Sequence, residues 1–345
     1  MKIKKNIIKF IIIITPIFII NLFLKFRLKY SSKIDYSSIK LNKILINNFI
    51  GSMYSFAYIN RGRMNAYINT YLKKSIIPEN IQKPVLNNND PITICVVKND
   101  LNRLKMQLDH HRKIGIKHFV YIDNLSDDGT FEYLKEQPDV SLFLLKEKYE
   151  NLIKNAWLRQ ATDFFGYNRW YLILDSDELF IYPGIENKNI NSYIDFLESK
   201  KINTALSPMI DMFSINKNPD KELSFNEILK EYSYFDTDTY KIEKQLIRQR
   251  ITGGSRIRLD NMKNTISKYS LIKLSKKMII GTHENHPYKY NHETNGAIAF
   301  LLHFKKYMHD DTNYKGIHKL NNSLDLLNIN ITDKSFLNDF LKDIK

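Results

Sequence analysis

Between residues 92 and 175 the chain four times drives an apolar run of strand length into a polar end: ITICVVK (92–98), HFVYID (118–123), VSLFLLK (140–146) and WYLILD (170–175). Runs of this length bounded by turn residues read as buried strands. Helical spacing fills the gaps between them. After the first run, Leu101, Leu104, Leu108 and His111 share a face; after the third, Leu152, Ile153, Ala156, Trp157, Ala161, Phe164 and Phe165 do, with Gly166 as the stop. After the second comes FEYLKEQ, with Asp127 or Asp128 as its cap. Strands alternating with helices predict an α/β fold whose sheet is mostly parallel and flanked by helices.

Such sheets bind ligands beyond the carboxyl ends of their strands. Those ends carry Lys98 and Asn99, Asp123 and Asn124, and then Asp175, Ser176, Asp177 and Glu178. Asp175 and Asp177 are alternate residues, which project to the same side of an extended segment. Paired carboxylates suit Mn²⁺ or Mg²⁺, hard cations that take oxygen ligands and keep positions open for substrate phosphates. The plainer reading of these acids is a capped turn. For Asp123 and Asn124 the alternatives are hydrogen bonds to a nucleobase or ribose, or a polar turn alone.

Composition narrows the classes. The single cysteine, Cys95, lies inside an apolar run, which excludes an intrachain disulfide and cysteine-based zinc sites and marks it as a core residue. The net charge of +15 is concentrated at the start: residues 1–40 hold nine Lys or Arg against one Asp, leaving 43 against 36 over the other 305. With signs mixed over the main body and no nucleic-acid motif, a nucleic-acid partner is not expected.

The apolar segment IIKFIIIITPIFIINLFL (7–24) spans roughly 27 Å as a helix at about 1.5 Å per residue. A basic flank follows rather than a small-residue cleavage site, so an uncleaved single-pass anchor in the lipid bilayer is expected over a signal peptide. Lys2, Lys4, Lys5 and Lys9 on one side balance Lys25, Arg27, Lys29 and Lys33 on the other and leave orientation open. The predicted organisation is a tip and anchor (1–24), a stalk or linker (25–90) with prolines at 78 and 84, a main domain (91–310) that opens on Pro91, and a C-terminal tail helix (311–345). Asn124, Asn321 and Asn330 begin glycosylation sequons. A glycan at Asn124 would obstruct the sheet's rim, which favours a cytosolic face, as on a bacterial inner membrane, over a Golgi type II arrangement.

Several motifs occur in a fixed order: KND (98–100), HH (110–111), DNLSDDGT (123–130), DSDE (175–178), GGSRIR (253–258), ISKYSLIK (266–273), GTHENHP (281–287) and AFLLHFKKY (299–307). Together they resemble the family 2 glycosyltransferases of GT-A fold, a Rossmann-like architecture, over roughly residues 91–310. The resemblance implies a metal-dependent, inverting transfer of sugar from a nucleotide diphosphate donor to an acceptor hydroxyl. It implies Asp177 as metal ligand, Asp175 at ribose or metal, His303 as a late ligand to metal or diphosphate, and Asp123 at the base. Lys98, Asn99, Asn124 and Asp128 join the nucleotide rim; Arg256, Arg258 and Lys273 are candidate phosphate or acceptor contacts. Asp211, an acid ending another apolar run, is the candidate catalytic base, with Glu178 and Glu284 as rivals. The family's usual Glu is Asp100 here, and Ser176 replaces a small apolar residue; neither change removes a carboxylate from the pair. Alternative readings are a nucleotidyltransferase or sugar-phosphate transferase, disfavoured because no glycine-rich loop follows the first strand, and a catalytically silent binding module. His283 and His286 lack a third partner for zinc, and His110 and His111 read as packing and surface residues.

Overall fold

A computed structural model describes residues 70–345, apart from 72, 152, 217–224, 245–248, 277, 279, 282, 286–290, 292–293, 311–313 and 345. The expected anchor and most of the expected stalk lie outside these residues, as does His286. No helix among the described residues is long and apolar enough to cross a membrane.

The four expected strands form, within a residue of the predicted ends: β2 (Ile92–Val97), β3 (His118–Asp123), β4 (Val140–Leu145) and β5 (Arg169–Leu174). They pair in parallel in the order β4-β3-β2-β5. Around this parallel centre the edge strands pair antiparallel, so the sheet as a whole is mixed. On one side β1 (Ile76–Asn80) runs antiparallel to β4; on the other, β12 (Leu271–Leu274) runs antiparallel to β5 and to the short β7 (Thr204–Ala205). β1 corrects the linker reading of its segment. Pro78 lacks a donor, yet an edge strand tolerates that, and the register shifts between Pro78 and Asn80.

Alternation along β2 divides the core. Ile92, Ile94 and Val96 face helix α3 (Lys154–Phe165), where Trp157 is fully buried. Cys95 and Val97 face the cluster that holds Leu104 and Leu108 of α1 (Leu101–Lys113), Leu134 of α2 (Thr130–Lys135), and Tyr193 and Leu197 of α4 (Ile190–Ser199). Cys95 is thus a core residue, and burial pushes its thiol pKa well up. Gly166, at φ 89, ends α3, as its placement predicts. Phe164 departs from the buried stripe and is largely exposed, its ring edge-on to Phe143 at 5.0 Å.

A second, five-stranded sheet packs into that same cluster. It comprises β6 (Glu178–Ile181), β8 (Met209–Ser214), β9 (Tyr234–Asp236), β13 (Phe300–His309) and β14 (Ile317–Lys319), with a separate hairpin of β10 (Lys241–Lys244) and β11 (Gln249–Thr252). The segment read as a tail is integral to the packing. Leu326, Ile329 and Ile331 are buried, as are Leu337 and Phe340 of the helix Lys334–Leu341, and the Phe340 ring meets Tyr193 at 5.4 Å.

Candidate active site

β5 ends at Leu174 and β6 begins at Glu178, so Asp175, Ser176 and Asp177 form the tight turn from one sheet to the other, closed by Glu178 N–H donating to Asp175 O at 3.2 Å. A turn rotates successive side chains, so the two aspartates diverge instead of projecting together. Asp175 is held by two buried ammonium groups: the first residue of α3, Lys154, in very close contact, and Lys268 at 2.7 Å. Burial alone would raise its pKa, but the two lysines hold it well below the usual carboxylate range. Its expected part as a metal ligand is therefore corrected: both oxygens are taken by lysines.

Glu178 is fully buried. Its carboxylate accepts from Lys268 at 2.5 Å and from Asp175 N–H at 3.0 Å, and burial keeps its pKa raised. A base must meet the acceptor hydroxyl. Glu178, engaged at both oxygens, is placed to hold the turn instead.

Asp177 points to the second sheet. β13 lies between β8 and β6, and its register sets His303 opposite Asp211 on one side and Glu178 on the other. His303 Nε2 is 3.6 Å from Asp177 Oδ2, and Phe304 N–H donates to Asp177 O at 2.9 Å. Among the described residues, Asp177, Glu178 and His303 form one group whose potential ligand atoms lie within 4.8 Å of each other. With Glu178 engaged, Asp177 and His303 are the pair with donor atoms to offer. A carboxylate oxygen and an imidazole nitrogen fit a divalent cation of the Mn²⁺ type.

Asp211 sits beneath His303 and is bound on every side. Its carboxylate accepts from Arg256 Nε at 2.5 Å and Nη2 at 2.7 Å, and its Oδ1 is 2.5 Å from His303 Nδ1. Burial would raise its pKa, yet His303 and Arg256 together lower it. A carboxylate so satisfied is a weak proton acceptor, which removes the ground for reading Asp211 as the base. Arg256 in turn is committed to Asp211. GGSRIR makes this possible: Gly253 and Gly254 have φ of 122° and 79°, and a Cβ on either would run into Thr239 or Tyr240. Arg258 is likewise occupied, between the buried Asp236 at 2.6 Å and Asp310, with its guanidinium 4.8 Å from the Tyr314 ring. Lys273 pairs with Trp170 in register at the amino end of β5, where it binds Glu198 at 2.6 Å. It is at the opposite end of the sheet from the acidic turn, which removes it from the phosphate contacts.

The rim of β2 and β3 divides similarly. Asp123 is fully buried at the end of β3; one oxygen accepts from Ser126 N–H at 3.0 Å, while Oδ2 is buried with no hydrogen-bond partner among the described residues. Asn124 spends its amide on the carbonyls of Leu145 (2.9 Å) and Glu147 (2.7 Å) and is buried, so it is neither a free ligand nor an accessible sequon. Asp128 ties the starts of α1 and α2 together, accepting from Leu101 N–H at 3.1 Å and Thr130 N–H at 3.0 Å, but the N-cap of α2 is Gly129 and not the expected Asp127 or Asp128. Asn99 joins the same two loops through Asp127 at 2.6 Å and Ser126 at 2.9 Å. Lys98 is exposed at the rim.

Sequence reading missed the residues that fix the turn. Gln107 of α1 is fully buried; its amide donates to Asp175 O at 2.5 Å and its oxygen accepts from Tyr121 at 2.8 Å. His111 accepts from Phe180 N–H at 3.1 Å and donates to Gln107 O at 2.6 Å, while His110 donates to Phe180 O at 2.7 Å. The two histidines thus pin β6 to α1. A polar residue on the buried face of a helix was the available signal for Gln107; His111 is the packing residue its place on that face predicts, and His110 is half-buried.

Burial lowers the pKa of His110 and His111, and takes His118 and His283 to about 4. A base with a depressed folded pKa stays neutral while the unfolded chain takes up its proton. Stability is therefore expected to fall as pH drops from about 6.5 towards 4, by up to about 1.4 kcal/mol per pH unit for each such histidine. Thermal melts between pH 7 and 4.5 check this; a flat Tm down to pH 5 would contradict it.

Residues 90–340 match the model of glycosyltransferase family 92. No curated protein matches the chain. Among solved structures, it is similar to the mannosyltransferase PcManGT from Pyrobaculum calidifontis, in complex with GDP-Man and Mn²⁺, at 19% identity over 54% of this chain and 50% of that one, with a TM-score of 0.27. It is also similar to a Bacillus anthracis protein assigned as a glucose-1-phosphate thymidylyltransferase, in complex with sucrose, at 14% identity over 37% of this chain and 61% of that one, with a TM-score of 0.23. The chain thus spans half to three fifths of these neighbours. The family shown by the match is 92, where the motifs alone pointed to family 2; the coarser expectation of a glycosyltransferase stands. The chain belongs to glycosyltransferase family 92.

Proposed function

We propose that this protein transfers a sugar from a nucleotide diphosphate donor to a hydroxyl of a glycan or glycoconjugate, with Mn²⁺ or Mg²⁺ held by Asp177 and His303. The observation that carries this reading is the facing of Asp177 Oδ2 and His303 Nε2 across 3.6 Å, at the turn that follows the carboxyl end of β5. A divalent cation bound there would neutralise the charge that builds on the departing diphosphate. Asp123 Oδ2, buried and unpaired, is an acceptor for a donor N–H on the base. Lys98 offers a positive charge at the exposed rim. Lys154 and Lys268 keep Asp175 ionised and, with Gln107, fix the turn so that Asp177 is presented in one orientation. The apolar segment at 7–24, outside the described residues, is long enough to anchor the protein in a bilayer.

The test is to incubate the purified full chain with UDP-, GDP-, CMP- and dTDP-sugars, with and without Mn²⁺. One donor is expected to bind and to be hydrolysed slowly in a metal-dependent manner. Absence of binding and turnover for all of them would contradict the proposal.

A further inference from the structure

Resting on the reading above, we propose that Asp211 is a positioning residue: clamped by Arg256, it fixes the tautomer of His303 so that Nε2 presents its lone pair to the gap facing Asp177. The chemistry of the contacts leads there. Asp211 and Arg256 are each less than a tenth exposed and share two hydrogen bonds of 2.5 and 2.7 Å, which hold the carboxylate in one orientation. Its Oδ1 lies 2.5 Å from His303 Nδ1. An ionised carboxylate only accepts, so Nδ1 must carry the proton. Arg256 Nη2, 3.5 Å from that nitrogen, also only donates and has its acceptor in the nearer Asp211 Oδ1.

With the proton fixed on Nδ1, the neutral ring bears its lone pair on Nε2, 3.6 Å from Asp177 Oδ2. Two electron-rich atoms then face each other, an arrangement that a bound cation reconciles. Strand register makes the placement rigid, since Asp211 and His303 are partners in the parallel β8–β13 pair. A carboxylate behind a metal-binding histidine orients the ring and raises its basicity, and losing such a partner typically weakens metal binding by roughly 10–100-fold.

The test uses the full chain with Mn²⁺ and a nucleoside diphosphate, UDP and GDP in turn, and follows bound Mn²⁺ by electron paramagnetic resonance. Asp211→Asn is expected to weaken Mn²⁺ binding by roughly 10–100-fold. His303→Gln is expected to weaken it at least as much, and the double variant no further, because the two residues act through one ligand. Should Asp211→Asn unfold because Arg256 is left unpaired, Asp211→Asn/Arg256→Met removes the buried pair together and carries the same expectation. A variant that binds Mn²⁺ like the wild type but does not turn over would overturn the proposal and return Asp211 to the role of base.

A second readout needs neither metal nor activity. Nitrogen NMR of labelled histidine in the metal-free wild type is expected to show His303 protonated at Nδ1, and Asp211→Asn to disturb that state. A wild type with Nε2 protonated would also overturn the proposal. A wild type with the Nδ1 proton but no affinity for Mn²⁺ would instead count against the proposed function.

Discussion

Asp177→Asn is expected to lower turnover by roughly 10²–10³-fold, about 2.7–4 kcal/mol of transition-state stabilisation, while leaving the fold intact. Asp177 is the member of the acidic turn whose carboxylate is not consumed by lysine; its nearest side-chain neighbours are the His303 ring at 3.6 Å and the Arg103 guanidinium at 4.0 Å. Asparagine keeps the size and loses the charge. Asp175→Asn acts differently, because it leaves buried Lys154 without its carboxylate and Lys268 with Glu178 alone, and should lower stability as well as activity. Steady-state kinetics beside thermal melts separates the two. An Asp177→Asn enzyme with near-normal kcat at saturating Mn²⁺ would contradict the assignment.

Lys268→Met is expected to destabilise the protein by about 3–5 kcal/mol, a fall in Tm of roughly 6–20 °C. Lys268 is a buried cation shared by Asp175 and Glu178. Without it Asp175 retains Lys154, but Glu178 is left as a fully buried charge with no lysine or arginine in contact among the described residues. Glu178→Gln in the same chain should recover most of the loss by removing that charge. The pH dependence has a definite sign. Burial already raises the Glu178 pKa, and losing Lys268 raises it further, so the folded variant binds a proton more tightly than the unfolded chain. Its deficit relative to wild type should narrow as pH falls towards the unfolded carboxyl range near 4.3. A deficit that widens on acidification, or a variant as stable as wild type at pH 7, would contradict this account of the cluster.

Much of the frame was legible because burial writes itself into local pattern. The four apolar runs are buried on both faces, so they read as strands without reference to any partner, and their ends located the site. What failed depends on distance along the chain. Asp175 meets Lys268 across 93 positions, and nothing near either residue announces the pairing. Lys273 belongs to a motif that suggests a phosphate contact; only the antiparallel course of β12 against β5 carries it to the other end. Asp211 read as a base because it ends an apolar run, a pattern shared by an acid that is free and one that is clamped. The row of Asp211, His303 and Glu178 exists through the register of three strands drawn from distant parts of the chain, and register between such strands has no local signature. Pro78 points to a linker over 76–80 because proline interrupts a central strand; an edge strand, lacking one neighbour, admits it.

The most direct measurement is pulsed electron paramagnetic resonance of Mn²⁺ bound to the wild-type chain with a nucleoside diphosphate, compared with His303→Gln. Coordination by Asp177 and His303 predicts an imidazole nitrogen coupling to the metal that disappears in the variant. Bound manganese with no nitrogen coupling, or a coupling that survives in His303→Gln, would contradict it.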